Sequence, residues 1–350
     1  MNKEFFEALE LLEKEKGISA ERLLEKIQNA LVIAVKRNYV GAENVVVDVK
    51  PEKYVLDVYI RKTVVEEVED PANQILLEEA VKIDKKAAVG SEVGIKLRPK
   101  EFGRIAAQTA KHVIRQGIRE AERSQMLKDF QSREREIVSG YVVRVDAKKG
   151  NATLEIDHTE AVLPKSEQIP GEEIREGERI KVYVVEATAT EKGPKIMISR
   201  THPGLVKRLF ELEVPEIYEG IVEIKSVSRE AGSRSKIAVY SKDENVDSIG
   251  TCIGPKGARI AKIIDELCGE KIDVIKYSDE PEKFISAALS PATVLKVEVD
   301  PEGAKSCKVT VPDNQLSLAI GNKGQNARLA AKLVGWKIDI RPESGFYGEE

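Results

Sequence analysis

Two short strings, Ile253-Gly254-Pro255-Lys256-Gly257 and Ile320-Gly321-Asn322-Lys323-Gly324, hold a lysine between paired glycines at the same spacing. That combination suits contact with a sugar-phosphate backbone. Glycine has no Cβ, so a chain of phosphates can come close. The lysine adds a point charge, and a helix starting just after the turn offers free N–H groups and the positive end of its dipole. Arg259 and Arg328 follow within those helices, while Ile253, Ile260, Ile320 and Ala327 would floor a groove for bases. A nucleotide-binding P-loop is excluded: it needs four residues between its glycines and Ser or Thr after the lysine, whereas Gly257 follows Lys256. Pro255 also removes one of the N–H donors such a loop uses.

Groups for covalent chemistry are not assembled in this way. His112, His158 and His202 fall in separate segments without paired-ligand spacing. Cys252, Cys268 and Cys307 are an odd set with no Cys-x-x-Cys, which argues against a disulfide framework or a thiolate zinc site. Cys252 and Cys268 read as small buried apolar residues. Acidic pairs such as Glu66–Glu67 and Glu172–Glu173 lie in charge-rich runs that read as surface. The expectation is a binding protein with no catalytic residue, no metal and no cofactor.

Each Gly-x-Lys-Gly turn sits inside a longer repeat. Residues 252–275 align with 319–340 once one helical residue is dropped, and both copies read as helix, two strands, short helix, turn, helix, strand. In the first copy the leading helix covers about 203–211, with strands near 219–228 and 235–241; in the second these elements fall near 282–289, 294–299 and 306–311. A six-element unit recurring at about 65–70 residues predicts two tandem domains of one fold. Helix–GxxG–helix followed by a strand is the KH pattern, which clamps about four nucleotides of single strand. The helix-first, strand-last order is type II.

Between about 136 and 200, five short β-like runs (REIVSGYVVRVD, NATLEID, EAVLP, ERIKVYVVEAT, PKIMISR) alternate with Gly- and charge-rich turns. That rhythm predicts a small OB-type barrel. Its aromatics are few, Tyr141 and Tyr183 with His158 in a turn; Arg144, Lys148, Lys149, Lys165 and Arg200 read equally as phosphate contacts or solvated surface. The barrel is expected to support RNA binding rather than to lead it.

The front of the chain predicts an amphipathic helix over 2–16, with Phe5, Leu9 and Leu12 on one stripe and Phe6 beside it. Gly17 stops it, and Ser19 caps a second helix over 20–38. Two strands flank the turn Pro51–Lys53, and a third lies near Glu92–Leu97. A long helical pattern follows over about 101–132, and its 102–119 stretch contains no acid. Arg104, Lys111 and Arg115 share a face there, and Lys36 and Arg37 end the second helix, where cations suit the dipole. This basic face reads either as solvated or as a polyanion contact.

Composition frames these parts. With 350 residues, 41% hydrophobic and 33% charged, the chain can bury several cores, which excludes disorder. No run approaches the roughly 20 apolar residues that span a bilayer, and the start carries acids throughout, unlike a signal peptide. A soluble, cytoplasmic protein is expected. The net charge of −4 conceals a segment, 1–135, with 25 bases against 24 acids. No segment is strongly basic, so nucleic acid must be held by local clusters. The expected class is multidomain α+β: an N-terminal α/β domain with a long basic helix (1–135), an S1-type OB barrel (136–200), two KH domains (201–280 and 281–344) and a short tail (345–350).

The strings FFEALELLEKEKGIS, FGRIAAQTAKHVIRQGIREAER, VPEIYEGIVEI, VDSIGTCIGPKGARI, VPDNQLSLAIGNKGQNARLA and GWKIDI resemble the NusA family of bacterial transcription termination/antitermination proteins across essentially the whole length. The resemblance implies an N-terminal domain that docks on RNA polymerase by the β flap, near the RNA exit channel. It implies S1 and KH domains that bind nascent single-stranded and hairpin RNA as one rigid rod. It further implies effects on pausing, intrinsic termination and antitermination, partnership with other antitermination factors, and a monomer when free. By position, Lys36, Arg37, Arg104 and Lys111 would face the exit-channel hairpin. Some members carry acidic repeats after the second KH domain; with only ESGFYGEE at the end here, contacts through such repeats are not carried over. S1 and KH modules also occur in RNA degradation and translation machines, which are the alternative setting.

Overall fold

Residues three and four apart build the opening helices, and the sheet behind them follows from alternation. The computed structural model describes residues 3–39, 43–190, 193–300, 303 and 305–345, with the side chains of 99–101 excepted. The chain divides into two compact units, Met1–Met126 and Leu127–Glu350.

In the first unit, α1 (Lys3–Lys16) precedes α2 (Ala20–Asn38), where Ser19 Oγ accepts the Arg22 N–H at 3.3 Å as an N-cap. Leu23, Ile27, Leu31 and Val35 recur every fourth residue and are all buried; each contributes about 1.5–3 kcal/mol of apolar transfer. β1 (Val45–Lys50) and β2 (Val55–Val65) pair antiparallel around the 3₁₀ turn Pro51–Lys53. β3 (Gln74–Leu76) runs parallel to β2, α3 (Leu77–Ile83) follows, and β4 (Glu92–Lys96) pairs antiparallel with β2. Alternate residues of β2, Leu56, Val58 and Ile60, meet α2 and the residues Phe102, Ala106, Ala110 and Val113 of α4 (Pro99–Gln131).

Two readings change here. Phe6 and Leu9 are the buried residues of α1, with Phe5 and Leu12 only partly covered. The segment 69–91, for which no element was expected, carries β3 and α3 around a small core of Val64, Ile75, Ala80 and Val93. Residue 2, at the expected start of α1, lies outside the described residues.

In the second unit, the last turn of α4 buries Phe130, and five strands follow: β5 (Ile137–Val145), β6 (Ala152–Ile156), β7 (Thr159–Leu163), β8 (Arg179–Thr190) and β9 (Gly193–Ser199). They pair antiparallel in the order β7-β6-β5-β8-β9, and β7 comes within 8 Å of β9 between Cα atoms, which nearly closes the barrel. The first KH domain contains α5 (Pro203–Glu213), α6 (Pro215–Tyr218), β10 (Val222–Glu230), β11 (Arg234–Ser241), α7 (Ser248–Ile253), α8 (Ala258–Glu266) and β12 (Lys271–Lys276). The second contains α9 (Pro281–Ala288), β13 (Lys296–Val299), β14 (Ser306–Val311), α10 (Leu316–Ile320), α11 (Gln325–Val334) and β15 (Lys337–Pro342). In both, the central strand pairs antiparallel with the strand before it and parallel with the last one. The short α6 was not anticipated. Of the tail 345–350, only Gly345 is described.

These three domains share buried contacts. Ile169 and Tyr183 of the barrel join Leu205, Leu209 and Phe210 of α5 in one core. Ala238 and Ile275, on the other face of the first KH sheet, pack with Phe284, Ile285, Ala288 and Leu289 of the second domain.

Candidate nucleic-acid interface

The two turns have nearly the same backbone. Gly254 stands at φ 75°, ψ 172° and Gly321 at 76°, 173°; Gly257 stands at 75°, 15° and Gly324 at 74°, 16°. Between them Lys256 (50°, 26°) and Lys323 (51°, 30°) occupy the left-handed region, at roughly 1–2 kcal/mol each for an L-residue. Both lysines are exposed, as are Pro255 and Asn322. The turn closes on itself through Gly257 N–H to Gly254 C=O (3.0 Å) and Gly324 N–H to Gly321 C=O (3.1 Å).

The glycines of each pair do different work. A Cβ on Gly254 would lie 2.7 Å from Arg259 Cγ, and one on Gly321 would lie 2.8 Å from the Asn326 backbone nitrogen. A Cβ on Gly257 would meet nothing within 4 Å, and one on Gly324 would meet only the end of the Arg328 side chain, at 3.4 Å. The first glycine therefore admits the following helix, and the second leaves an open approach for a ligand backbone. The first N–H groups of α8 and α11, those of Ala258 and Gln325, donate to the Pro255 and Asn322 carbonyls, and neither helix has a side-chain cap, so the positive end of each dipole is left beside the lysines. Ile253, Ile260 and Ala327 are half-buried beside the turns, and Ile320 is 37% exposed.

The two arginines named with the turns are already engaged. Arg259 donates to Glu216 Oε2 (3.0 Å) and to the Thr251 carbonyl (2.8 Å). Arg328 donates to Glu230 Oε1 (3.0 Å) and to the Lys323 carbonyl. They are not equivalent. Two residues past the second glycine, the counterpart of Arg259 is Asn326, which is 2% exposed and donates to the carbonyls of Ala319 (3.0 Å) and Leu289 (3.0 Å). Both tie the start of one helix to the end of the other. The matching offset was readable in the sequence; the shared task was not.

In the barrel, several expectations are corrected. Tyr183 is buried and stacks on His202, with ring centroids 4.6 Å apart and planes 6° from parallel, so it is closed to bases. Burial also holds the His202 imidazole below its usual pKa. Arg200 is 2% exposed and joins Glu172 (2.6 Å) to Glu266 (3.2 Å), so it is closed to phosphate, and Glu172 is half-buried, with a side chain only 7% exposed, rather than a surface residue. Tyr141, Arg144, Lys148, Lys149 and His158 are exposed. Among the cysteines, burial pushes the Cys252 thiol up to about 12, whereas Cys268 is exposed and not the buried residue expected.

In the first unit, Lys36, Arg37, Arg104, Lys111 and Arg115 are all exposed, and none enters an ion pair among the described residues. Glu120, the first acid after the acid-free stretch, is tied to Lys26 at 2.7 Å. No described group of His, Cys, Asp or Glu side chains is placed to hold a metal ion, and no described helix is long and apolar enough to cross a membrane.

A type II KH pair with paired Gly-x-Lys-Gly turns, fused to an S1-type barrel, defines a single-strand RNA-binding class of protein. The family described as NusA N-terminal domain matches residues 4–124, S1 RNA binding domain 132–199, NusA-like first KH domain 200–277 and NusA-like second KH domain 281–347. The chain is 55% identical to the transcription termination/antitermination protein NusA of Halalkalibacterium halodurans, over 98% of this chain and 89% of that one. Identity to the proteins of the same name is 53% in Bacillus subtilis (98% and 92% covered) and 44% in Thermus thermophilus (97% and 89%). The chain belongs to the NusA family.

Proposed function

We propose that this chain is a transcription elongation factor that acts without catalysis, holding nascent RNA at the exit channel of RNA polymerase. Residues 1–135 dock by the β flap; 136–200, 201–280 and 281–344 bind the emerging transcript. Ile253, Gly254, Pro255, Lys256, Gly257, Ile320, Gly321, Asn322, Lys323 and Gly324 form the RNA contacts, with Arg259 and Arg328 supporting the turns. The observation that carries this reading is the pair of matching turns, each presenting a free lysine, on domains joined by buried contacts. A rigid pair raises the effective concentration at the second turn once the first is filled, which lets a chain of net charge −4 hold RNA through local clusters. The relatives' names, transcription termination/antitermination protein, fit the same setting.

In this reading Lys36, Arg37, Arg104 and Lys111 face the hairpin of a paused transcript, and the protein prolongs such pauses, aids intrinsic termination and joins antitermination factors. It is cytoplasmic and a monomer when free. Single-round transcription on a hairpin-pause template tests this. Reversing Arg104 and Lys111 to Glu is expected to shorten the pause half-life several-fold more than it weakens polymerase affinity, each cation being worth about 1 kcal/mol near an RNA phosphate. Equal losses in both would assign that face to protein contact.

A further inference from the structure

The turn joining β10 to β11 is held from three sides. Arg229, in β10, has a fully buried side chain paired with Glu270 at 2.9 Å, and the Gly232 N–H donates to the same carboxylate at 2.9 Å. Gly232 lies so near the barrel that a Cβ there would sit 2.9 Å from the Pro170 carbonyl oxygen. From the second KH domain, Gln325 Nε2 donates to Glu230 Oε2 and to Ser233 Oγ, both at 2.8 Å. Arg328 donates to Glu230 Oε1 from Nε (3.1 Å) and Nη2 (3.0 Å).

Both partners of Glu230 belong to the second Gly-x-Lys-Gly turn. Gln325 is the first residue of α11, and Arg328 also donates to the Lys323 carbonyl inside the turn. The Gln325 amide, ahead of the Arg328 guanidinium, holds the Glu230 carboxyl below the usual range, so it is charged at neutral pH. The first KH domain lacks this tie to a neighbouring domain: Ala258 and Ala261 stand at the corresponding positions, and its own Arg259–Glu216 pair stays within the domain. The tie is therefore an addition to the fold and not part of the repeat. An acid beside an RNA-facing turn repels phosphate, so its place there calls for a compensating role.

We propose that Glu230 is a positioning residue for RNA, fixing the second turn against the first KH domain and the barrel and so setting the length of strand that fills both turns at once. This rests on the RNA-binding reading above. Two linked sites reinforce each other only when the connecting strand matches their separation, and the gain is greatest when that separation is fixed.

The test uses the full chain and fluorescence anisotropy with two sets of single-stranded RNA. One is a short oligonucleotide of about five nucleotides, enough for one KH site; the other joins two such segments through abasic spacers of increasing length. The wild type is expected to show an affinity maximum at one spacer length. E230A should leave short-RNA affinity within about twofold, or slightly tighter for want of the acid, while the maximum falls about tenfold and broadens. Q325A keeps the acid and should lose less in the same direction. A general loss of structure would weaken both RNA sets together. A parallel loss of that kind, or an unchanged maximum, overturns the positioning role. A wild-type chain that bound neither RNA would overturn the RNA reading itself, and the positioning role with it.

Discussion

The two KH domains carry matching turns but opposite sheet faces. In the strand registers, Lys236 pairs across with Asp273 and Ala238 with Ile275; the equivalent residues of the second domain are Lys308 with Asp339 and Thr310 with Arg341. In the first domain the Lys236 side chain is fully buried, its Nζ donating to Asp273 (2.9 Å) and to the Ser290 carbonyl (2.7 Å) of the second domain. In the second domain Lys308 and Asp339 are exposed, and Asp339 pairs with Arg341 at 2.8 Å. The same lysine–aspartate pair is thus a buried joint in one copy and a solvated feature in the other. Repeats that stack need an apolar docking face inside the array and a polar one at its end. Replacing Ala238 and Ile275 by Thr310 and Arg341 makes that change, while the RNA-facing turn stays the same.

That contrast can be broken by experiment. The largest difference is expected for Asp273→Ala against Asp339→Ala. The first strands a buried lysine and should cost about 3–5 kcal/mol in urea denaturation; the second removes an exposed pair and should cost about 0–1 kcal/mol. Similar losses would mean that the two faces are energetically alike. A smaller effect is expected on acidification. Burial opposes the Asp273 charge, but hydrogen bonds from Arg234 and Lys236 outweigh it and hold this carboxyl below its ordinary value of 3.8. A carboxyl depressed in the folded state stabilises above its unfolded pKa and loses that contribution as pH falls through the folded value. Stability should therefore decline below about pH 4, and Asp273→Asn should flatten that limb while lowering stability at neutral pH. An unchanged acid limb would assign the loss to other carboxylates.

The sequence revealed what recurs. The Gly-x-Lys-Gly turns, the order of elements around them and the barrel's five strands are local patterns, with glycine, lysine and alternating apolar residues at fixed offsets. Residues whose role depends on distant partners were not legible. Tyr183 reads as a stacking platform until His202 covers it, and Arg200 reads as a phosphate ligand until Glu172 and Glu266 enclose it. β3 is only three residues long and owes its existence to parallel pairing with β2, so no periodicity announces it. Arg259 and Asn326 share an offset but not a chemistry, and only the carbonyls they bind show that they do one task.

The central claim is that the two turns hold RNA. The most direct measurement titrates a labelled single strand long enough to reach both turns against the full chain and against a variant carrying Pro255→Asp, Lys256→Asp, Asn322→Asp and Lys323→Asp. All four side chains are exposed, so the thermal melting curve should be nearly unchanged. RNA affinity should fall by about 100-fold or more, since two linked sites are lost together. Unchanged affinity, with the fold intact, would contradict the account and place RNA binding elsewhere on the chain.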